Sequence, residues 1–277
     1  MSGDAEDPIR ASDLPTRFAM GLAMVVVALL AIYVGGWLFR ALVIIASGLM
    51  LVEWADIHRV SRRWAYAAVA ILVAYLLVLP EWLFPVDEMD EVVTTASFTP
   101  AWTGFSIAAV LAIVAGLVGR RLAMFGGFLY VAIPAFALLV LHWIWFGIVY
   151  WVMVVTWATD ICAYFAGRSI GGPKLAPRIS PNKTWAGLLG GIVGAAIFGY
   201  LIAYLLELDS PFLYIGGAMA VVAQAGDLYE SWVKRRAGVK DSGTILPGHG
   251  GVLDRLDGLL PVVLATLALL MAGLWTG

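Results

Sequence analysis

Ionisable residues stand at the start of the last apolar stretch of the chain. The segment LPGHGGVLDRLDGLL, residues 246–260, places His249, Asp254, Arg255 and Asp257 directly before a hydrophobic run that continues almost to the end of the sequence. Asp254 and Asp257 are one helical turn apart. Charged groups at the edge of such a run require a chemical reason, because burying them near lipid costs free energy.

A second polar set lies upstream in AGDLYESWVKRRAGVKDSG, residues 225–243. Asp227, Glu230, Ser231 and Lys234 follow the spacing i, i+3, i+4 and i+7 and therefore share one helical face. An Asp227–Lys234 pair that only neutralises itself is one interpretation. It leaves unexplained why the neighbouring segment begins with the same kind of group.

Two carboxylates from separate helices, Asp227 and Asp254, are what a hard divalent cation requires when substrate phosphates fill its other positions. The basic residues around them suit an anionic substrate. These are Lys183, Lys234, Arg235, Lys240 and Arg255. The pattern therefore predicts magnesium, held by Asp227 and Asp254, and a substrate rich in phosphate.

A third polar region is WATDICAYFAGRSIGGPKLAPRISPNKTW, residues 157–185, where Asp160, Tyr164 and Gly167 recur on one helical face. The turn at 171–173 and the SPNKT segment at 180–184 offer two interpretations. The loop can hold phosphates on backbone N–H groups at a helix start. Alternatively, it is an ordinary helix start with Ser180 or Thr184 as the cap and with lysines that meet lipid headgroups.

The elements that must position these groups are membrane helices. The chain is 62% hydrophobic and 13% charged, against about 45–50% and about 25% in soluble domains. Its single cysteine, Cys162, excludes a thiolate metal cluster. We predict an all-α polytopic bundle with about nine spans. They lie near 18–39, 41–56, 64–85, 103–119, 122–141, 143–167, 184–207, 211–232 and 252–275.

The basic residues predict the orientation of this bundle. With nine spans, Arg40 is the one basic residue of 17 that falls on the opposite side. By the positive-inside rule, the basic side and the N-terminus face the cytoplasm. The chain then divides into an N-terminal tail (1–17), five spans (18–142) and a C-terminal catalytic region (143–277).

The polar groups crowd the cytoplasmic ends of spans six, eight and nine. A channel or transporter would place them near the midplane with broken helices in corresponding halves, so their position favours an enzyme at the cytoplasmic interface. Glu53, at the cytoplasmic end of span two, can line the cavity or sit at the membrane interface, and the interface is favoured.

The segment GDLYESWVKRRAGVKDSGTILPGHGGVLDRLDG, residues 226–258, resembles the signature of phosphatidate cytidylyltransferases (CDP-diacylglycerol synthases). The shared features are Ser, Lys-Arg, Lys-Asp-Ser-Gly, Pro, His-Gly-Gly and Asp-Arg-hydrophobic-Asp. The upstream region is similar through Asp160, Tyr164, Gly167-Arg168 and Ser-Pro-x-Lys-Thr. It departs from that family at Asn182 and Ala186, where a second lysine and a glutamate are expected.

The resemblance implies the reaction of CTP with phosphatidate to give CDP-diacylglycerol and pyrophosphate. It also implies a homodimeric, multi-pass inner-membrane enzyme of phospholipid biosynthesis that binds no nucleic acid and faces the cytoplasm with its active site. In that family, the aspartates matching Asp227 and Asp254 are magnesium ligands, and potassium is a candidate for a second cation position.

On this basis we assign roles to individual residues. Lys234, Lys240 and Arg255 join Asp227 and Asp254 as catalytic candidates. Asp241 and Asp257 are candidates for outer or additional cation contacts, and His249 either donates to a phosphate or orders its glycine-flanked loop. The candidate substrate-binding residues are Asp160, Arg168, Ser180, Lys183, Thr184, Ser231, Arg235, Asp241, His249, Gly250, Gly251 and Asp257.

Two alternatives stay open from the sequence. A CTP-dependent polyprenol or phytol-type lipid kinase would transfer the γ-phosphate and release CDP. A cation or lipid transporter would move its substrate across vesicles without consuming CTP.

Overall fold

The computed structural model of the chain describes residues 13–83, 98–245 and 250–273. Within these ranges it consists of helices and one small two-stranded sheet. The elements are α1 (Asp13–Val34), α2 (Gly36–Ile57), α3 (Arg62–Leu83), α4 (Thr99–Gly119), α5 (Leu122–Ile144), α6 (Phe146–Ile170), β1 (Lys174–Ala176), β2 (Ser180–Thr184), α7 (Trp185–Leu205), α8 (Ser210–Tyr214), α9 (Gly216–Ala237), α10 (Leu253–Leu256) and α11 (Leu259–Met271).

Six of the described helices, α2 to α7, are long and apolar enough to cross a membrane. Shorter apolar stretches lie in α1 (Gly21–Val34) and α11 (Leu259–Met271). The chain is therefore a polytopic helical membrane protein. The finer count of about nine spans stays a prediction, because α9 carries several charges and α11 has only 13 residues.

The helix boundaries differ from the sequence prediction at three places. The first two helices separate at Gly35, whose φ of 66° lies in the left-handed region that glycine tolerates, and not at Arg40. The break before α6 is at Trp145, which has extended backbone. The last predicted span is divided into α10 and α11. Asp254 and Asp257 therefore lie before the apolar helix α11 and not within it.

The SPNKT segment is a strand and not a flexible loop. Lys174 pairs with Thr184, and Ala176 pairs with Ser180, in an antiparallel hairpin. Gly171 and Gly172 have positive φ and allow the chain to turn out of α6 into this hairpin. Because the strands pair with each other, the hairpin gives Lys183 a defined position directly before α7.

Helices α6 and α7 pack at close range through small residues. A Cβ atom added at Gly190 would lie 2.2 Å from the Cβ of Ala166, and one at Gly194 would lie 2.4 Å from the Sγ of Cys162. Small residues at such contacts allow membrane helices to approach each other closely. The hairpin and the end of α6 that precedes it are thereby fixed relative to α7.

Helix α5 forms the centre of the N-terminal half. Phe128, Phe136 and Leu141 on it are fully buried. The indole N–H of Trp54 on α2 donates to the carbonyl of Ala123 at 2.8 Å and ties α2 to the start of α5. This contact holds the end of α2 that carries Glu53 against the bundle.

Candidate active site

A polar cavity of about 510 Å³ lies between α6, the hairpin, the start of α7 and α9. It brings together five of the residues predicted from the sequence. They are Asp160, Arg168, Lys183, Thr184 and Asp227. Gln224 and Asn182 also line it. The cavity thus combines carboxylates with basic groups where α6, α7 and α9 meet the hairpin.

Asp227 is the acidic group at the α9 side of this cavity. Its Oδ2 forms an ion pair with Nζ of Lys183, and its Oδ1 accepts a hydrogen bond from Oγ of Ser231 at 3.3 Å. The same ammonium donates to Oε1 of Gln224 at 2.9 Å. The Asp227 side chain is 29% exposed and that of Lys183 is 17% exposed, so both remain accessible to an anionic ligand and its counterion.

A second charged cluster lies beside the cavity. Nζ of Lys234 stands 2.6 Å from Oδ1 of Asp254 and 2.5 Å from Oε2 of Glu230. Lys234 and Glu230 are buried and Asp254 is largely buried, with exposed side-chain fractions of 10%, 1% and 11%. The interpretation in which Asp227 and Lys234 neutralise each other is therefore wrong. Each aspartate has its own lysine.

Asp254 is also held by the backbone of its own loop. Its Oδ2 accepts from the N–H groups of Gly251 at 2.9 Å and Ser242 at 3.0 Å, and Ser242 N–H also reaches Oδ1 at 3.1 Å. Burial raises the pKa of Asp254, but Lys234 and the two backbone N–H groups lower it more, so the net pKa lies below the usual value. Asp254 is thus held as a carboxylate.

Asp257, at the end of α10, has the opposite tendency. Burial and the charges of Asp227 and Glu230 raise its pKa well above the usual range, against a smaller opposing effect of the Gly258 N–H bond. Like charges crowded in this way are stabilised by a nearby cation. The additional cation contact predicted for Asp257 stays a prediction.

The structure corrects the position that the sequence predicted for Glu53 on α2. Its side chain is buried, with 1% of its surface exposed, and not at the membrane interface. Oε1 accepts from Val252 N–H at 2.9 Å, and Oε2 accepts from Leu253 N–H at 2.8 Å and from Ser242 Oγ at 3.3 Å. A residue of the N-terminal half therefore touches the segment that carries Asp254.

Several other predicted residues bond to protein groups. Thr184 Oγ1 accepts from Gly187 N–H at 3.0 Å and caps α7, as one interpretation of the loop expected. Ser180 begins β2 and does not line the described cavity. Arg235 donates to the carbonyls of Ile179 and Val239 at 3.3 Å and 3.2 Å, linking the hairpin to the end of α9.

The remaining predicted residues lie on the exposed side of the site. Lys240, Asp241 and Arg255 are exposed, and Arg255 interacts electrostatically with Asp160. Gly250 has a φ of 82°, a left-handed conformation that favours glycine. His249 lies outside the described residues.

Gln224 and Ser242 were not predicted as members of the site, and Glu230 was placed on the helical face of Asp227 without a role. Gln224 and Glu230 flank Asp227 on α9 by one helical turn each. A polar amide within the apolar run AVVAQAG was a usable signal for Gln224. Ser242 appeared only as the serine of the Lys-Asp-Ser-Gly part of the signature. Its hydrogen bonds to Glu53 and Asp254 could not be predicted from its place in the sequence.

The chain matches the model of a family described as "Cytidylyltransferase family" over residues 15–272. That range includes α2 to α11 and both charged clusters. The chain belongs to this family.

Three bacterial relatives illustrate this likeness, and all are named phosphatidate cytidylyltransferase. The protein of Brucella suis biovar 1 is 38% identical over 263 residues, which are 90% of each chain. The protein of Pseudomonas aeruginosa is 36% identical over 80% of this chain and 84% of its own. The Bacillus subtilis protein is 48% identical over 118 residues, 42% and 44% of the two chains.

Proposed function

We propose that this cytidylyltransferase family member converts CTP and phosphatidate to CDP-diacylglycerol and pyrophosphate. The observation that carries the proposal is the 38% identity to a phosphatidate cytidylyltransferase over 90% of both chains. The polar cavity adds chemical support, because it joins basic and acidic groups at the ends of membrane helices. A soluble nucleotide and a lipid headgroup can meet at such a depth.

The reaction is a displacement at phosphorus. An oxygen of the phosphatidate phosphate attacks the α-phosphorus of CTP, the new P–O bond forms, and the bond to the β-phosphate oxygen breaks to release pyrophosphate. A phosphomonoester has a second pKa of about 6 and is largely dianionic near neutral pH. The nucleophile therefore needs no strong general base, and the protein acts by positioning and electrostatics.

The basic residues of the cavity bind the phosphates in this proposal. Lys183 and Arg168 line it directly, and Arg255 lies close enough to Asp160 to extend the positive wall. Lys234 and Arg235 remain candidates, although their donors engage protein groups in this conformation. Lys240 is exposed to solvent, and we assign it to the outer phosphates of CTP.

Magnesium fits the oxygen donors of the site. Among the described residues, no group of three or more acidic, histidine or cysteine side chains forms a metal cage, so substrate phosphates must complete the coordination, as magnesium commonly requires. An ionised carboxylate has about four acceptor sites, and Asp254 accepts four hydrogen bonds from Lys234, Ser242 and Gly251, so a metal ion at Asp254 would have to replace one of these contacts. Asp227 offers the more exposed carboxylate.

We therefore assign magnesium to Asp227 and Asp254, with Asp257 and Asp241 as candidates for a second, potassium position. Held by these residues, magnesium would supply positive charge that offsets the negative charge of the substrate phosphates. Lys183 holds the Asp227 carboxylate at the cavity, and the N–H groups of Ser242 and Gly251 hold the Asp254 carboxylate in its own position.

The membrane arrangement follows from the charges. We infer about nine crossings, with α1, α9 and α11 added to the six helices above, the N-terminus in the cytoplasm and the active site facing it. In a bacterium, this location is the inner membrane. A homodimer is the assembly that the family resemblance suggests.

Labelled CTP distinguishes this reaction from its alternatives. The purified chain in detergent is supplied with phosphatidate, magnesium and CTP carrying ³²P at either the α or the γ position. Label that enters the lipid from the α position, with pyrophosphate release, supports cytidylyl transfer. Label from the γ position with CDP release identifies a lipid kinase, and no consumption of CTP with any lipid contradicts both enzyme assignments.

A further inference from the structure

The carboxylate of Glu53 on α2 accepts hydrogen bonds from residues that precede Asp254 in the chain. Its three partners are Ser242 Oγ and the N–H groups of Val252 and Leu253, at 3.3, 2.9 and 2.8 Å. Each is separated from Glu53 by 189 residues or more along the chain. A helix of the N-terminal half therefore supplies the acceptor for the backbone of the catalytic region.

The segment approaches this carboxylate closely because it has glycine at two positions. A Cβ added at Gly243 or at Gly251 would lie 2.8 Å from Oε1 of Glu53. Such a distance is shorter than ordinary carbon–oxygen contact, so a larger residue at either position would push the segment away. The backbone at Gly243 and the backbone at Gly251 are thus both packed against the Glu53 side chain.

Glu53 and Asp254 share their partners. Ser242 donates its hydroxyl to Glu53 and its N–H to Asp254, while Gly251 contacts Glu53 and donates its N–H to Asp254. The two carboxylates therefore hold the backbone at Ser242 and at Gly251 from two sides. If Glu53 lost its charge, Ser242 and Gly251 would lose a fixed position, and Asp254 would lose two of its three donors.

From this geometry we propose that Glu53 is a positioning residue for the reaction, acting through Ser242 and Gly251 on the Asp254 carboxylate. It does not touch the substrates. An amide in its place presents an NH₂ group to a backbone N–H donor and leaves that donor buried without an acceptor. The activity part of this inference rests on the proposed function, whereas the anchoring part does not.

The test compares Glu53→Gln with Asp56→Asn, a matched carboxylate-to-amide change on the same helix. Asp56 is exposed and pairs only at the surface, with Arg62 at 2.8 Å, so its loss should change little. Hydrogen exchange is measured in detergent for peptides covering 240–256 and for the other helices. We expect exchange to rise selectively in 240–256 for Glu53→Gln and to stay unchanged for Asp56→Asn.

Kinetics then separate positioning from a merely structural role. For Glu53→Gln we expect kcat to fall about 10- to 100-fold, the range typical of residues that orient a metal ligand, with little change in KM for CTP. Half-maximal activity should also require more magnesium. Glu53→Asp retains the carboxylate and should recover part of kcat, and Ser242→Ala, which removes one of the three bonds, should show a smaller effect of the same kind.

Two results would overturn the proposal. One is wild-type exchange in 240–256 together with wild-type kcat for Glu53→Gln. The other is raised exchange throughout the helices with kcat per folded molecule unchanged, which would make Glu53 a general stability residue. If the wild-type chain shows no cytidylyl transfer, the proposed function fails, but the exchange measurement still decides whether Glu53 anchors the segment.

Discussion

At the scale of single residues, the two site lysines have different environments. Lys183 lines the open cavity and contacts Asp227 and Gln224. Lys234 is enclosed between Glu230 and Asp254. The first can exchange a protein partner for a phosphate at small cost, whereas the second mainly neutralises two buried carboxylates.

Replacing Lys183 should therefore impair substrate use more than stability. For Lys183→Met we expect kcat/KM for CTP to fall about 100-fold, the loss typical of removing one preorganised donor, with a small change in thermal unfolding. Lys174→Met is the control, because Lys174 is an exposed lysine of the same hairpin. Equal kcat/KM in the two variants would contradict a phosphate-binding role for Lys183.

Replacing Lys234 should act chiefly on stability. In Lys234→Met, two buried carboxylates lose their shared cation, and breaking a buried pair in this way costs about 3–5 kcal/mol. Thermal unfolding in detergent should show this loss clearly. Arg236→Met, at an exposed position of the same helical turn, should show a much smaller change, and similar melting of both variants would argue against the buried cluster.

These residue types were predictable from the sequence, but their pairing was not. The spacing placed Asp227 and Lys234 on one face of a helix, yet Asp227 pairs with Lys183 from β2, and Lys234 pairs with Asp254 from α10. Helical periodicity carries information only within one element. Which lysine meets which aspartate, and that Glu53 reaches the signature segment, depends on tertiary packing.

At the scale of elements, hydrophobic runs located the helices because every span must satisfy its backbone internally. The residues at which the helices begin and end were harder to predict. Gly35 and Trp145 interrupt apolar stretches without a charge, and hydropathy does not register such breaks. The SPNKT strand was missed because proline and asparagine are typical of turns, and its pairing with β1 overrides that local preference.

The α6–α7 contact offers a test at this scale. In Gly190→Val, the added Cβ would stand 2.2 Å from that of Ala166, so the helices must separate, and the cavity between them and α9 should widen. We expect lower thermal stability and a marked loss of activity. Gly126→Val places its side chain in open space on α5 and should retain both. Normal activity in Gly190→Val would contradict the close packing.

At the scale of the whole molecule, the sequence predicted a polytopic bundle because an excess of apolar residues leaves few alternatives. Orientation was inferred from loop charges alone. Cysteine labelling in intact cells tests it, in a chain whose single cysteine, Cys162, has been changed to serine. Glu207→Cys should react with a membrane-impermeant maleimide from outside, and Lys174→Cys should react only after permeabilisation. Labelling of both from outside would contradict nine crossings with a cytoplasmic site.

We propose that CTP and phosphatidate react in the cavity of Asp227, with magnesium held there. The most direct measurement is pyrophosphate release as a function of magnesium concentration for the wild type, Asp227→Asn and the control Asp209→Asn, whose carboxylate is exposed beside α8. We predict turnover at least about 100-fold lower in Asp227→Asn, a higher magnesium requirement for what remains, and a normal Asp209→Asn curve. An Asp227→Asn curve that coincides with the wild type would contradict this site.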